Sequence, residues 1–298
     1  VGVLRAAKPV YSKISVPMRH TLATSTGLCE PLGAPRFVSM SAMSPDPAVV
    51  LALRAAGCVF AEDEAALITD AALSGDHLAS MVRQRISGLP LEHVLGWAGF
   101  CGSRMIVAPG VFVPRRRTEF LVRQAASLAK PGAVVVDLCC GSGAIGAAVH
   151  DALGTSELYG ADIDPIAAAC AVRNIGPRGG RVFQGDLFEP LPPELRGRVD
   201  VLVVNAPYVP TDSIRTMPPE ARLHEPRLAL DGGSDGLDVQ RRVVRDSPEW
   251  LAPGGALLIE ASDEQASMTA ALMAGAGLRT DVLHDPELEA TVVLGRLP

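Results

Sequence analysis

Hydrophobic positions fall into two regimes along the chain. Between Ser44 and about residue 96 they recur at helical spacing, whereas from Ala133 onward short, unbroken apolar runs alternate with amphipathic stretches. The apolar runs 133–138, 157–161, 181–184, 199–204 and 255–261 read as strands, followed by a closing pair near 279–284 and 290–295. Helices are expected at 143–153, 165–174, 237–251 and 263–275. Strands without polar alternation, separated by helices, imply a largely parallel sheet covered on both faces. Ligands of such sheets sit beyond the carboxyl ends of the strands.

Upstream of the sheet, Ser44 or Asp46 can cap a helix over 47–56, and Glu62, Asp63 and Glu64 suit the positive end of a second helix ending near Leu73. Asp76 opens a third, with Leu78, Met81, Val82 and Ile86 on one face. Residues 45–96 are therefore expected to form a small helical domain, either a packing appendage or a dock for a macromolecular substrate. Two short β-like runs, 97–100 and 104–107, suggest a hairpin through Gly102-Ser103 within a linker of residues 97–113. A helix over 116–129, closed by Pro131-Gly132, then opens the main domain, residues 114–298.

Composition narrows the class. At 298 residues, 48% hydrophobic and with a net charge of −6, the chain can bury a full α/β core plus an accessory domain. An acidic balance argues against binding nucleic acid mainly through phosphates, and no apolar stretch approaches the roughly 18 residues of a spanning helix. The six cysteines show neither CxxC pairs nor metal-ligand spacing, so they read as reduced, packed thiols of a cytoplasmic protein, and no metal is expected. Residues 1–44 stand apart: Arg5, Lys8, Lys13, Arg19 and Arg36 face one acid, Glu30, and no periodic pattern persists. This segment is expected to be disordered, and translation read through to an internal Met40 or Met43 explains it more simply than a targeting peptide does.

Candidate chemistry gathers at the expected strand ends. Val134-Val135-Val136-Asp137-Leu138-Cys139-Cys140-Gly141-Ser142-Gly143 is a strand, a tight turn and a helix start, in which Gly141 and Gly143 can bring backbone against a ligand. The next strand ends in Asp162, about twenty residues past the glycines, a spacing that suits the two hydroxyls of a ribose. Asp164 reads as a helix cap before Pro165. Asp186-Leu187-Phe188 follows the third strand and offers an acceptor and apolar walls for an adenine. Three consecutive strand ends thus carry what the nucleoside of S-adenosylmethionine (SAM) needs, while NAD is disfavoured because no second mononucleotide-binding half follows.

After the strand 199–204 comes Asn205-Ala206-Pro207-Tyr208. A strand followed by Asn and Pro is often an ordinary turn. Beside a SAM loop, however, this corner holds a side-chain amide and a backbone carbonyl that can each accept an N–H of a planar nitrogen, turning its lone pair toward a methyl carbon. The same acceptors stabilise the positive charge that grows on that nitrogen, with Tyr208 as a flat wall.

With these residues in place the chain resembles the HemK/PrmC family of protein-(glutamine N5) methyltransferases from Pro90 to Leu297. The likeness is carried by Pro90-Leu91-Glu92-His93-Val94-Leu95-Gly96, by Val113-Pro114-Arg115 with Thr118-Glu119, by Asn205 to Pro210, and by His224-Glu225-Pro226-Arg227-Leu228-Ala229-Leu230-Asp231-Gly232-Gly233 with Asp235-Gly236-Leu237. The resemblance implies a class I SAM-dependent methyltransferase, a Rossmann-like α/β fold with a seven-stranded, mostly parallel sheet, an antiparallel closing hairpin and a small N-terminal helical domain. It implies SAM held by Asp137, Cys139, Cys140, Gly141, Ser142, Gly143, Asp162, Asp186, Leu187 and Asn205, and a glutamine side chain held by Asn205, Ala206, Pro207 and Tyr208. In the best-known members that glutamine lies in the Gly-Gly-Gln loop of a peptide chain release factor.

Three departures stand out: Ala206 replaces the first Pro of Asn-Pro-Pro-Tyr, Cys139 replaces a glycine, and Arg116-Arg117 replaces a Pro-acid pair. The carbonyl of residue 206 survives, and Pro207 still biases that residue to an extended conformation. Two alternatives remain open from the sequence. One is an adenine-N6 nucleic-acid methyltransferase, which shares the Asn-x-Pro-aromatic corner; the other is a SAM-binding interaction protein that has lost catalysis.

Overall fold

A computed structural model of the chain describes residues 45–298. The segment 1–44, expected to be disordered, lies outside the described residues. The chain divides into two compact units between Ile86 and Ser87, ten residues ahead of the domain boundary read from the sequence at residue 96.

The first unit holds α1 (Pro47–Ala55), α2 (Ala61–Ala71) and α3 (Gly75–Ile86). Asp46 caps α1 by accepting from the Ala48 N–H, and three acids occupy the first turn of α2, as the sequence requires. Leu53, Ala61, Ala65, Ile68 and Met81 are buried. The inner face of α3 departs from expectation. Arg85, not Ile86, joins Met81 on the buried side, because its guanidinium donates through Nε (2.6 Å) and Nη2 (3.2 Å) to the buried Glu64 carboxylate on α2.

The second unit begins with α4 (Leu91–Leu95), ended by Gly96 in a left-handed conformation. The hairpin of β1 (Trp97–Phe100) and β2 (Ser103–Ile106) pairs Phe100 with Ser103 through Cys101-Gly102. The single helix expected at 116–129 is one 3₁₀ turn, Arg116–Thr118, followed by α5 (Glu119–Leu128). Then come β3 (Val134–Leu138), α6 (Ala144–Leu153), β4 (Glu157–Asp162), α7 (Pro165–Ile175), β5 (Arg181–Gln184) and β6 (Val199–Val204). The connection after β6 is not structureless: it contains 3₁₀ turns at Thr211–Thr216 and Arg227–Ala229 around α8 (Pro219–His224). The unit closes with α9 (Asp238–Asp246), β7 (Leu251–Ala261), α10 (Asp263–Gly275), β8 (Arg279–Asp285) and β9 (Ala290–Arg296). α9 stops short of its expected end because Pro248 follows, leaving a 3₁₀ turn at Ser247–Glu249. β7 starts four residues earlier than expected: Val199 pairs with Leu251, and a register shift carries the strand past Pro253-Gly254.

The seven strands lie in the order β5-β4-β3-β6-β7-β9-β8, with β9 antiparallel to both neighbours. The class I methyltransferase sheet expected from the sequence is therefore present. Alternate residues serve opposite faces, and both faces are apolar: Val135, Val201, Val203 and Leu258 pack with α5 and α6, while Val136, Leu202, Val204 and Ile259 belong to a second core with residues of α9 and α10. Strand order reverses between β3 and β6, which pair directly from Val135↔Val201 to Leu138↔Val204. That reversal leaves a crevice at their carboxyl ends, where the loops after both strands diverge. No helix among the described residues is long and apolar enough to cross a membrane.

Glu64→Ala takes from the buried Arg85 guanidinium its two hydrogen bonds to α2, so it should destabilise the α1 to α3 unit by about 1.5–3 kcal/mol, the range for hydrogen bonds to a charged group. Hydrogen exchange in these three helices reads this directly. Unchanged protection would show that the Arg85–Glu64 pair does not hold the unit together.

Candidate functional site

The loop after β3 owes its shape to backbone geometry more than to side chains. Cys139 and Gly141 both have positive φ (54° and 55°), and the loop closes with Gly143 N–H donating to the Cys140 carbonyl at 2.6 Å. A Cβ at Gly141 would meet nothing within 4 Å, so its backbone is open to an approaching ligand. Gly143 serves a different purpose. A Cβ there would strike Ile175 and Ala171 on α7, so this glycine permits close helix packing. Buried Asn174, also on α7, braces the loop: it donates to the Ser142 and Ile106 carbonyls (2.8 and 2.9 Å) and accepts from the Ile106 N–H (2.9 Å). A lone amide on a helix whose one other polar side chain is Arg173 was the signal that could have revealed it.

One cavity at the carboxyl ends of the strands is lined by Cys139, Cys140, Gly141, Ser142, Asp162, Asp186 and Leu187 from the cofactor set and by all of Asn205, Ala206, Pro207 and Tyr208. Asp137 and Gly143 are not among the lining residues. Asp137 is fully buried behind the loop, where its Oδ2 accepts from the Gly146 N–H (2.8 Å) and Oδ1 has no partner. Burial raises its pKa to about 8. Asp162 reaches the cavity while also shaping the loop, accepting from Gly141 N–H through Oδ2 (2.8 Å) and from Asp164 N–H through Oδ1 (2.9 Å). Asp164 caps α7 as expected, accepting from the Ile166 N–H at 2.8 Å.

Asp186 is paired with Arg242 on α9 (2.7 Å), a partner the sequence reading missed. Leu187 holds a left-handed backbone (φ 49°) and offers its apolar side chain to the cavity. Phe188 does not: it is buried and stacked on Trp250, ring centroids 5.3 Å apart, so of the two apolar walls expected for an adenine only Leu187 lines the cavity.

At the other end of the cavity the Asn205–Tyr208 corner is clamped from outside. Val209 N–H donates to Leu230 (3.0 Å), Gly232 N–H donates back to Val209 (2.9 Å), and the Gln265 side-chain amide donates to the Tyr208 carbonyl (2.9 Å). Cβ atoms at Gly232 and Gly236 would collide with the carbonyls of Pro207 and Tyr208. The long segment after β6 is thus the mould of the corner. Glu225 ties that mould to the segment before α5, accepting from Val113 N–H (3.2 Å) and, through both oxygens, from Arg115 Nη2 (2.6 and 2.7 Å). Among the described residues the side-chain amide of Asn205 and the Ala206 carbonyl make no hydrogen bond, leaving both free for a ligand.

Arg117 completes this end. Its Nη2 donates to the Tyr208 hydroxyl and its Nε to Glu260 at the end of β7 (3.3 Å). Burial pushes the Tyr208 phenol up to about 12, so it keeps its proton at neutral pH.

The fold and this site define a SAM-dependent methyltransferase. The open backbone at Gly141, the carboxylates of Asp162 and Asp186, apolar Leu187 and the free Asn205 amide fit the cofactor, which when bound supplies a methyl carbon on a sulfonium. Residues 103–233 match the methyltransferase small domain model. Over 234 residues the chain is 39% identical to a release factor glutamine methyltransferase of Geobacter sulfurreducens, covering 76% of this chain and 81% of that protein. It is also 38% identical over 203 residues to a 4-amino-L-phenylalanine/4-methylamino-L-phenylalanine methyltransferase of Streptomyces pristinaespiralis, covering 66% and 69%. Among solved structures, a methyltransferase from Pyrococcus furiosus shares the fold (TM-score 0.50, 14% identity, covering 65% of this chain and 89% of that one). The chain belongs to the release factor glutamine methyltransferase family.

Two consequences can be measured. Because the folded state holds the Asp137 proton up to about pH 8 and an unfolded chain releases it near pH 4, this carboxyl's contribution is complete below pH 4 and is lost as pH rises toward 8. Asp137→Asn should keep the bond to Gly146 and flatten the fall in stability between pH 5 and 7, which for one proton is at most about 1.4 kcal/mol per pH unit. Urea denaturation across that range giving parallel curves would show that Asp137 is ionised when folded. Gly236→Ala should displace the corner and cut turnover on the order of 10²-fold, since shifts near 1 Å suffice for that. SAM affinity, measured by calorimetry, should change less than about threefold, because the cofactor loop lies on other strands; equal losses in both would mean the two halves move together.

Proposed function

We propose that this chain transfers the methyl group of SAM to the N5 amide nitrogen of a glutamine side chain in a protein, with the Gly-Gly-Gln loop of a peptide chain release factor as substrate and the cytoplasm as its location. One observation carries the reading: the unpartnered Asn205 amide and Ala206 carbonyl line the same cavity as the open Gly141 backbone. The family's release factor enzymes support it, and the cytoplasmic part rests on the cysteines read as reduced thiols.

In this reading Asn205 Oδ1 and the Ala206 carbonyl each accept one N–H of the substrate amide, and Tyr208 covers its plane. The amide lone pair, ordinarily delocalised into its carbonyl, is turned toward the methyl carbon, and the acceptors stabilise the charge that nitrogen gains. No imidazole or carboxylate lines the cavity near Tyr208 among the described residues. The nitrogen therefore loses its proton after the methyl arrives, not before.

A second acceptor class has one specific observation in its favour, the 38% identity to an enzyme named for an aromatic amine. An aryl amine is also a planar nitrogen with two N–H bonds to place. The adenine-N6 alternative gains nothing comparable on a chain of net charge −6.

Asn205→Ala removes one acceptor while leaving β6 and Pro207 intact. Single-turnover methylation of a release factor, mapped by mass spectrometry with labelled SAM, should slow about 10²- to 10³-fold. SAM affinity should fall far less. A wild-type rate in this variant would remove the amide clamp, and absence of label on glutamine in the unaltered protein would remove the glutamine assignment.

A further inference from the structure

Near Tyr208 the cavity is lined by two arginines, Arg115 and Arg117, and among the described residues by no carboxylate. Each arginine has a counter-ion, but both counter-ions are sealed behind it: the side chains of Glu225 and Glu260 are 1% and 4% exposed, against 34% and 35% for Arg115 and Arg117. Both ion pairs are thus oriented with the cation toward the ligand.

The two cations differ in freedom. Arg115 is committed through Nη2 to both oxygens of Glu225, the residue that also holds Val113. Arg117 spends one N–H on Glu260 and one on the Tyr208 hydroxyl, and the remaining donors of its five have no partner among the described residues. Its guanidinium is held 5.9 Å from the Tyr208 ring centroid, at the far end of the ring that walls the acceptor. A half-buried, positioned guanidinium with unused N–H groups matches a carboxylate better than any neutral group.

We propose that Arg117 is a specificity-determining residue, receiving a carboxylate that the substrate carries several bonds from the methylated nitrogen. For the peptide case this rests on the glutamine reading above. The carboxylate then has two sources: an acidic side chain beside the target glutamine of a protein, or the α-carboxylate of a free amino acid bearing a planar amine.

Both sources are tested on the full chain with SAM. One arm compares glutamine peptides that differ only in Glu or Gln beside the target; the other compares 4-aminophenylalanine with its carboxamide. In at least one arm the acid should be preferred by about 10- to 100-fold in kcat/KM, expressed mainly in KM, the range expected of a charge-assisted hydrogen bond. Arg117→Met should bring that ratio to about one, and Arg117→Lys, which keeps the charge without the fork, should leave it in between. Unchanged binding of S-adenosylhomocysteine establishes that the variants are folded; should Arg117→Met not fold, the wild-type ratio and its fall in Arg117→Lys decide. A purely structural role would lower acid and neutral substrates alike and leave the ratio intact. A ratio of one in both arms, or an undiminished ratio in the variants, overturns the proposal. Peptides methylated without preference, alongside no acid preference in the amino-acid arm, overturn it while sparing the glutamine reading. No turnover of any peptide would remove the glutamine reading itself, and if the amino acids are also untouched the proposal falls with it.

Discussion

The acceptor half of the site depends on backbone packed against backbone. Gly232 and Gly236 lie so close to the carbonyls of Pro207 and Tyr208 that any side chain there would displace the corner. A main-chain carbonyl can be aimed only by fixing the peptide planes around it, and here Pro207 fixes one side while hydrogen bonds through Val209, Gly232 and Gln265 fix the other. Ala206 is itself 2% exposed, and the restraint that a second proline would add within the corner is supplied by the segment wrapped over it. That segment is ordered through Asp231, whose carboxylate accepts from Thr211 (2.6 Å) and from the Gly233 N–H (3.1 Å).

The cofactor half stores strain where the ligand is met. Of the four non-glycine residues with positive φ among those described, Cys139 and Leu187 both line the cavity. A left-handed non-glycine residue costs about 1–2 kcal/mol, which persists only where neighbours over-determine the geometry. At Cys139 the neighbours are held by the Gly141 N–H donating to Asp162 and by the Asn174 amide donating to the Ser142 carbonyl. A glycine at position 139 would meet this backbone demand freely, and the cysteine meets it at a cost that the bracing offsets.

Much of the architecture was legible because its signals are local. Apolar runs marked the strands, Asp46 and Asp164 sit at helix starts where their side chains accept backbone N–H groups, and the glycine loop announced itself through φ values that other residues resist. Errors arose where a distant partner decides. Pattern alone could not show that Phe188 turns inward to stack on Trp250, that Arg85 reaches Glu64, or that β7 begins before Pro253 because Val199 is there to pair with it. Asp137 illustrates the same limit at the site: its position at a strand end marks it as a ligand residue, but β3 is central, and the alternation that turns Asp137 away from the cavity is set by the whole sheet.

These two kinds of signal map onto the two halves of the site. The cofactor half is built from the ends of adjacent parallel strands and the turns that follow them, so its geometry comes with the sheet. The acceptor half is assembled from segments far apart in sequence: Val113 to Arg117, Asn205 to Tyr208, Glu225 to Gly236, and Glu260 with Gln265, joined by charge-assisted bonds and close glycine contacts. A change in any one of these segments alters the shape or charge offered to the acceptor while leaving Gly141, Asp162 and Leu187 where they are. That separation gives a physical reason why enzymes nearly equally similar to this chain carry names as different as a release factor methyltransferase and an aromatic amine methyltransferase. The cofactor end supplies the common chemistry, and the acceptor is selected by the outward charges and the mould around Tyr208.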